Sequence, residues 1–292
     1  MKNLLFILLI TSALSCKKEN TEAVVLSQPE KDSVSLVEFE RALSQLPNDI
    51  SSSLKGLEIF KNDFEKSSPE NNDKAFKNYL IFQAKLMDSL NQQLMRNPDH
   101  EKIESTIWDD TTHHQPEGKA FMNKLFQNGL RLTSSEGMVY IGRETQILRN
   151  YFYDNLSPST QKFFDQFELE TNQPESEDGG FIIPIKDVAD RLGFWDAFLV
   201  SYPKHLFSDY ATNNVKYGLY FLLTGLDNTP AFSYDDGTLD KQFLEACKYF
   251  IKKYPHSKNA VVINEYLELL EKAGYKQTEQ VKEFSEKYNP YG

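Results

Sequence analysis

The chain has 292 residues, of which 40% are hydrophobic and 26% charged, a balance that suits one large globular domain or two smaller ones. Its net charge is −11 and no Lys/Arg stripe with interleaved aromatics runs through it, which argues against a nucleic-acid partner, because phosphate binding draws on clustered positive charge. The 21 phenylalanines and 15 tyrosines supply ample material for a core.

At the N-terminus Met1-Lys2 is a minimal positive region, Leu4–Ile10 is an unbroken apolar run, and Thr11–Ser15 is small and mostly polar. This is the layout of a secretory signal, since so short an apolar run cannot span a bilayer as a helix. Cys16 follows directly. Ser15-Cys16 after that run resembles a bacterial lipoprotein signal peptide, in which the cysteine becomes the first residue after cleavage and carries acyl chains. The resemblance implies a signal over residues 1–15, lipidation of Cys16, and the membrane as a partner through those chains, with several chains making a durable anchor. Lys17-Lys18-Glu19-Asn20 lacks an aspartate immediately after the cysteine, which resembles release to the outer membrane, in its periplasmic or its surface-exposed leaflet. Residues 16–34 read as a flexible tether, polar and uncapped, whose coil would hold the domain roughly 20–25 Å from the lipid.

Helical periodicity then begins. Leu36–Leu46 carries Leu36, Val37, Phe39, Ala42, Leu43 and Leu46 on one face and stops at Pro47. Asp49–Lys66 continues with Leu54, Leu57, Phe60 and Phe64, and Asp73–Met95 is the strongest helix, with Phe76, Tyr79, Leu80, Leu86, Leu90 and Leu94 recurring at three and four. These segments predict an N-terminal helical bundle over residues 35–134. Asn97–Gly118 interrupts the pattern. If it is helical, Asp109/His113 and Asp110/His114 are i,i+4 pairs that would offer carboxylate and imidazole to a transition metal. The alternative is a polar inter-domain loop, which Pro116 favours. Lys119–Leu132 reads as a further helix.

The C-terminal region, residues 135–292, opens with a strand candidate at Met138–Ile141 and a second at Phe181–Ile185, which together predict at most one small two-stranded ribbon. Between them Glu144–Tyr153 and the segment capped by Ser157-Pro158 read as helices. Two segments then echo each other at an offset of 52 residues, Leu192–Pro203 and Leu244–Pro255, with Phe198 over Phe250 and Tyr202-Pro203 over Tyr254-Pro255. Proline disfavours helical geometry in the residue before it, so each copy ends a helix at tyrosine. Each is followed by a polar turn and a second helix, Tyr210–Leu223 and Asn259–Ala273, with Ser257 as a cap and Gly225 and Gly274 as stops. Thr278–Tyr288 closes the series. The Tyr-Pro bend and the capped second helix resemble tetratricopeptide-type hairpins, although the offset exceeds that family's repeat of about 34 residues. The expected fold is therefore mainly α: an N-terminal bundle followed by helical hairpins.

No nucleophile elbow, phosphate-cradling loop or dinucleotide fingerprint occurs, and nothing marks a catalytic residue or a cofactor. With Cys16 lipidated, Cys247 is the remaining thiol, on the apolar side of its helix. Trp195, Tyr202, Tyr210, Tyr217 and Tyr220, together with Tyr234, are the candidate binding residues, able to line a groove for a polymer or peptide; their alternative role is to fill the core between hairpins. These readings describe a lipid-anchored envelope protein serving as a binding or scaffold module for a protein, peptide or glycan. Their rival is a hydrolase acting on an envelope or extracellular polymer through a carboxylate pair that no motif marks.

Overall fold

The computed structural model describes residues 28–64, 66–108 and 115–291. Within them twelve α-helices are joined by three two-stranded antiparallel ribbons, so the fold is mainly α.

Three helices build the N-terminal part: α1 (Gln28–Gln45), α2 (Ser51–Phe64) and α3 (Pro69–Leu94). Helix α1 starts inside the expected tether, with Pro29 in its first turn, where a missing N–H costs nothing. Helix α3 begins one turn before the expected Asp73, because Ser68 accepts a hydrogen bond from Asn71 N and Pro69 is pre-shaped for the first turn. Phe39, Leu57, Phe60, Phe64, Phe76 and Tyr79 from these helices are fully buried. The expected interruption after α3 is itself partly helical: α4 (His100–Trp108) buries Ile103 and Thr106 and packs on α5 (Pro116–Gln127).

Helix α5 ends before Leu132. Gly129, at φ 72°, turns the chain, and the alternation Leu130, Leu132 then suits a strand rather than another helical turn. Strand β1 (Leu130–Ser135) pairs with β2 (Met138–Arg143), setting Leu132 opposite Ile141. The pairing expected between Met138–Ile141 and Phe181–Ile185 is therefore not formed. Pro184 caps the next helix instead, and only Gly180–Phe181 of that stretch pairs, as β4, with β3 (Ser176–Glu177). The border expected between residues 134 and 135 falls within β1. Apolar packing also crosses it, since Phe60 of α2 lies 4.1 Å from Phe152 between ring centroids.

Phe152 ends α6 (Thr145–Phe152), and a 3-10 turn leads to α7 (Pro158–Asn172), where Ser157 accepts from Thr160 N as the cap. The hairpins follow as α8 (Ile185–Ser201) with α9 (Ser208–Thr224), and α10 (Lys241–Lys253) with α11 (Lys258–Lys272). A short hairpin of β5 (Gly225–Leu226) and β6 (Thr229–Pro230) links the pairs, and α12 (Glu279–Glu286) closes the fold.

The repeated Tyr-Pro motif produces a repeated geometry. Tyr202 caps α8 at φ −136°, ψ 61° and Tyr254 caps α10 at φ −122°, ψ 53°. Each tyrosine N–H donates to the phenylalanine carbonyl four residues back, and the two ring pairs stand 5.2 Å and 5.1 Å apart. Helices α8 and α10 lie against each other at Gly193, where an added Cβ would fall 2.3 Å from the Tyr254 ring. Beside it, Asp190 accepts hydrogen bonds from Tyr249, Lys253 and Tyr254.

Candidate functional site

Gly225 shapes an open cleft beside the second half of α9. It ends α9 at φ 75° and ψ −162°, a region essentially reserved for glycine, and a Cβ there would lie 2.4 Å from both Ala231 N and Thr229 O. The chain can therefore fold back tightly through β5 and β6, and the segment that follows faces α9 across an open cleft of about 580 Å³. Tyr220 and Phe221 of α9 form one wall, Phe232 and Tyr234 a second, and Tyr291 a third. Tyr234 is 80% exposed and Tyr291 69% exposed. Tyr234 is nonetheless held in place, since its hydroxyl donates to Asp227 O at 2.9 Å. Tyr291 stands 5.3 Å from the Tyr217 ring and 6.5 Å from the Tyr220 ring. Tyr220 donates to Glu286 at 3.3 Å, and burial together with that neighbouring carboxylate raises its phenol above the ordinary range. The result is a set of aromatic faces with Asp227, Ser233 and Gln277 among the polar groups beside them. Rings that are exposed yet positioned suit stacking against a flat ligand, with hydrogen bonds at the edge.

The sequence-named binding residues divide. Tyr217 and Tyr220 lie on the α9 side of this region, and Tyr234 lines the cleft itself. Trp195 does not line an open groove. It is 1% exposed, packed 5.8 Å from Phe163 and 5.4 Å from Tyr210, and it belongs to the core. The reason is its position on the face of α8 turned toward α7, where Glu170 Oε1 accepts from its indole N–H at 2.8 Å. Tyr202 is half-buried as the α8 cap against Phe198 and His205, apart from the cleft. Tyr210 leaves its edge in solvent but packs on Phe163 and Phe167. Cys247, which aligns with Trp195 in the repeat, is likewise buried, and burial pushes its thiol up to about 12, far from a reactive thiolate. Sequence reasoning missed Tyr291, which follows the closing helix and carries no periodic signal.

A second, smaller cavity of about 200 Å³ lies between α7, α8 and α9. Glu170, Glu175, Arg191, Trp195, Asn214 and Tyr217 form its wall. Glu170 Oε1 accepts from Gln166 at 2.7 Å as well as from Trp195, while burial raises its carboxyl. Burial pushes Glu175 up to about 7 against the opposing pull of Arg191. Arg191 donates to Gln173 O at 2.7 Å, just past the end of α7.

Asp109, Asp110, His113 and His114 lie outside the described residues, as does Cys16. Among the described residues no group of three or more histidine, cysteine, aspartate or glutamate side chains is placed to hold a metal ion, and no helix is long and apolar enough to cross a membrane. No family model matches the chain, and no curated protein or solved structure matches it at a significant level.

Proposed function

We propose that the chain is a lipid-anchored envelope protein of the outer membrane whose C-terminal half is a binding module, taking a segment of glycan or peptide in the cleft between α9 and the β5–β6 hairpin. The observation that carries this reading is the pair of exposed rings, Tyr234 and Tyr291, standing with Tyr220 around an open cleft of about 580 Å³. That volume lies within the roughly 300–1,000 Å³ common for ligand sites. Large exposed aromatics that are held by hydrogen bonds or ring contacts lose little freedom on binding, so their contact area converts efficiently into affinity. The anchor rests on the signal layout ending at Cys16.

The hydrolase reading draws on Glu170 and Glu175, the carboxylates that share the smaller cavity. A space of about 200 Å³ does not admit a polymer chain alongside two flanking carboxylates and a water, so the binding module is the better account.

Calorimetric titration of the chain from Lys17 onward with oligosaccharide and peptide fragments of the envelope tests the module. Tyr234→Ala and Tyr291→Ala are each expected to weaken binding by about 1–3 kcal/mol, the scale of one aromatic stacking contact. Unchanged affinity in both variants would remove the cleft from the account. For the anchor, Cys16→Ala is expected to abolish acylation and release the chain from membranes. A mature mass and membrane retention identical to wild type would exclude it.

A further inference from the structure

The small cavity between α7, α8 and α9 holds charges of both signs that do not neutralise one another directly. Arg191 is 9% exposed and brings a planar guanidinium fork of donors to the cavity. Its hydrogen bond to Gln173 O engages one terminal nitrogen, and among the described residues no carboxylate bridges it. Its other guanidinium donors bond no protein group among the described residues and keep contact with solvent, so an anion in the cavity can take them. Glu175 is half-buried and its carboxylate accepts no hydrogen bond among the described residues. Glu170 is held by two donors on one oxygen, Gln166 and Trp195, which fixes the group and leaves its second oxygen uncommitted.

Opposite charges lining one small cavity would ordinarily collapse into an ion pair. Here Glu170 is tied back to its own helix and to α8, while Arg191 is tied to the chain just past the end of α7. The separation is thus built into the packing, and it leaves a preorganised site with a donor end and an acceptor end. We propose that this cavity binds a small zwitterion, a free α-amino acid, with its carboxylate on Arg191 and its ammonium on Glu170 and Glu175. Guanidinium and carboxylate form paired charge-assisted hydrogen bonds, and an ammonium beside two carboxylates is similarly satisfied. The Tyr217 ring in the wall can add cation–π attraction for the ammonium, and Asn214 can serve either end. The volume of about 200 Å³ is below that of drug-sized pockets and suits a metabolite of this scale rather than a chain. This site uses different residues from the aromatic cleft, apart from Tyr217 at their common edge, and stands or falls separately from it.

The test is calorimetric titration and thermal shift of the full-length chain with a panel of free L-amino acids. Ethanolamine supplies the ammonium alone, acetate the carboxylate alone, and glucose neither. The expected result is saturable binding of at least one amino acid, with none of the three controls binding comparably. Glu175→Gln, whose carboxylate holds no internal hydrogen bond, is expected to weaken that binding at least about tenfold, and Arg191→Met to abolish it. Should Arg191→Met fail to fold, the Glu175→Gln result decides alone. Absence of binding by every amino acid, which means that the cavity holds water only, overturns the proposal. So does binding of ethanolamine, acetate or glucose as tight as that of the amino acid, or an affinity unchanged by Glu175→Gln.

Discussion

Glu175 is a charge that the fold shelters without neutralising. Burial raises its carboxyl to about 7, Arg191 opposes the rise, and Glu170 adds to it. A carboxyl raised in the folded state binds protons that the unfolded chain has already lost. Its contribution to stability is therefore complete below the ordinary value of 4.5 and is lost as pH climbs through about 7. Glutamine mimics the protonated group at every pH. Glu175→Gln is thus expected to match wild type near pH 4.5 and to exceed it by on the order of 1 kcal/mol at pH 8, after allowance for solvent screening of a partly accessible group. Urea unfolding of both proteins at the two pH values measures this, and a difference independent of pH would contradict the assigned environment. Nothing in the sequence foretold it. Neither Glu170, in the last turns of α7, nor Glu175 just beyond it carries a periodic apolar signal, and only α8 and α9 packing beside them creates the burial.

At the scale of elements, the contact of α8 with α10 joins the two hairpins. Gly193 lets the Tyr254 ring lie directly on the α8 backbone, and Asp190 binds that tyrosine's hydroxyl together with Tyr249 and Lys253. The Lys253–Asp190 pair is partly exposed, with side chains 45% and 34% accessible, so it contributes under about 1 kcal/mol. Packing at Gly193 is the larger effect. Gly193→Ala places a methyl 2.3 Å from the ring and forces Tyr254 out of its position. The expected loss is about 1–3 kcal/mol by chemical denaturation, despite alanine's better helix propensity. A stabilised variant would show that the hairpins do not meet as described. The hairpins themselves were legible, because the Tyr-Pro signal, the Ser257 cap and the Gly225 stop act locally through backbone geometry. Trp195 takes the second of its two expected roles, core rather than groove, and the sequence could not decide between them for the converse reason. An aromatic on an amphipathic helix looks the same whether its face meets solvent or another helix, and α7 is distant enough in sequence to hide the answer. The β1–β2 ribbon was half-legible, since Met138–Ile141 carries strand residues whereas Leu130–Leu132 reads as the end of the helix from Lys119, which in fact stops at Gln127 before the turn at Gly129.

Across the whole molecule, one polar network ties the N-terminal helices to the hairpins. Asp73 of α3 accepts from the Ser157 hydroxyl and N–H at the cap of α7, and Thr160 of α7 shares a hydrogen bond with His205 Nε2 in the α8–α9 connection. His205 Nδ1 accepts from Phe207 N at 3.3 Å, a contact that favours a neutral ring. Burial lowers its pKa below the ordinary 6.5, against the attraction of Asp73. A histidine depressed in this way contributes stability that is present above 6.5 and is lost as pH falls toward its folded value. Acidification below pH 6.5 is expected to remove His205's contribution while Glu175's is restored, so His205→Gln changes the slope of the acid profile in the opposite sense to Glu175→Gln. Thermal unfolding across the acid range measures both slopes. The network also explains why an expected border near residue 134 does not separate two cores: α3, α7 and the α8–α9 connection are joined by buried groups on either side of it.

The proposed seat of an extended partner is the set of tyrosines around the cleft formed by α9, the β5–β6 hairpin and the C-terminal segment. Tyrosine-selective isotope labelling followed by titration with the tightest-binding envelope fragment reads this directly, ring by ring. The Tyr220, Tyr234 and Tyr291 ring signals are expected to shift together and saturate, while those of the buried Tyr79 and Tyr266 stay in place. Saturable shifts confined to other tyrosines, with these three unmoved, would contradict it.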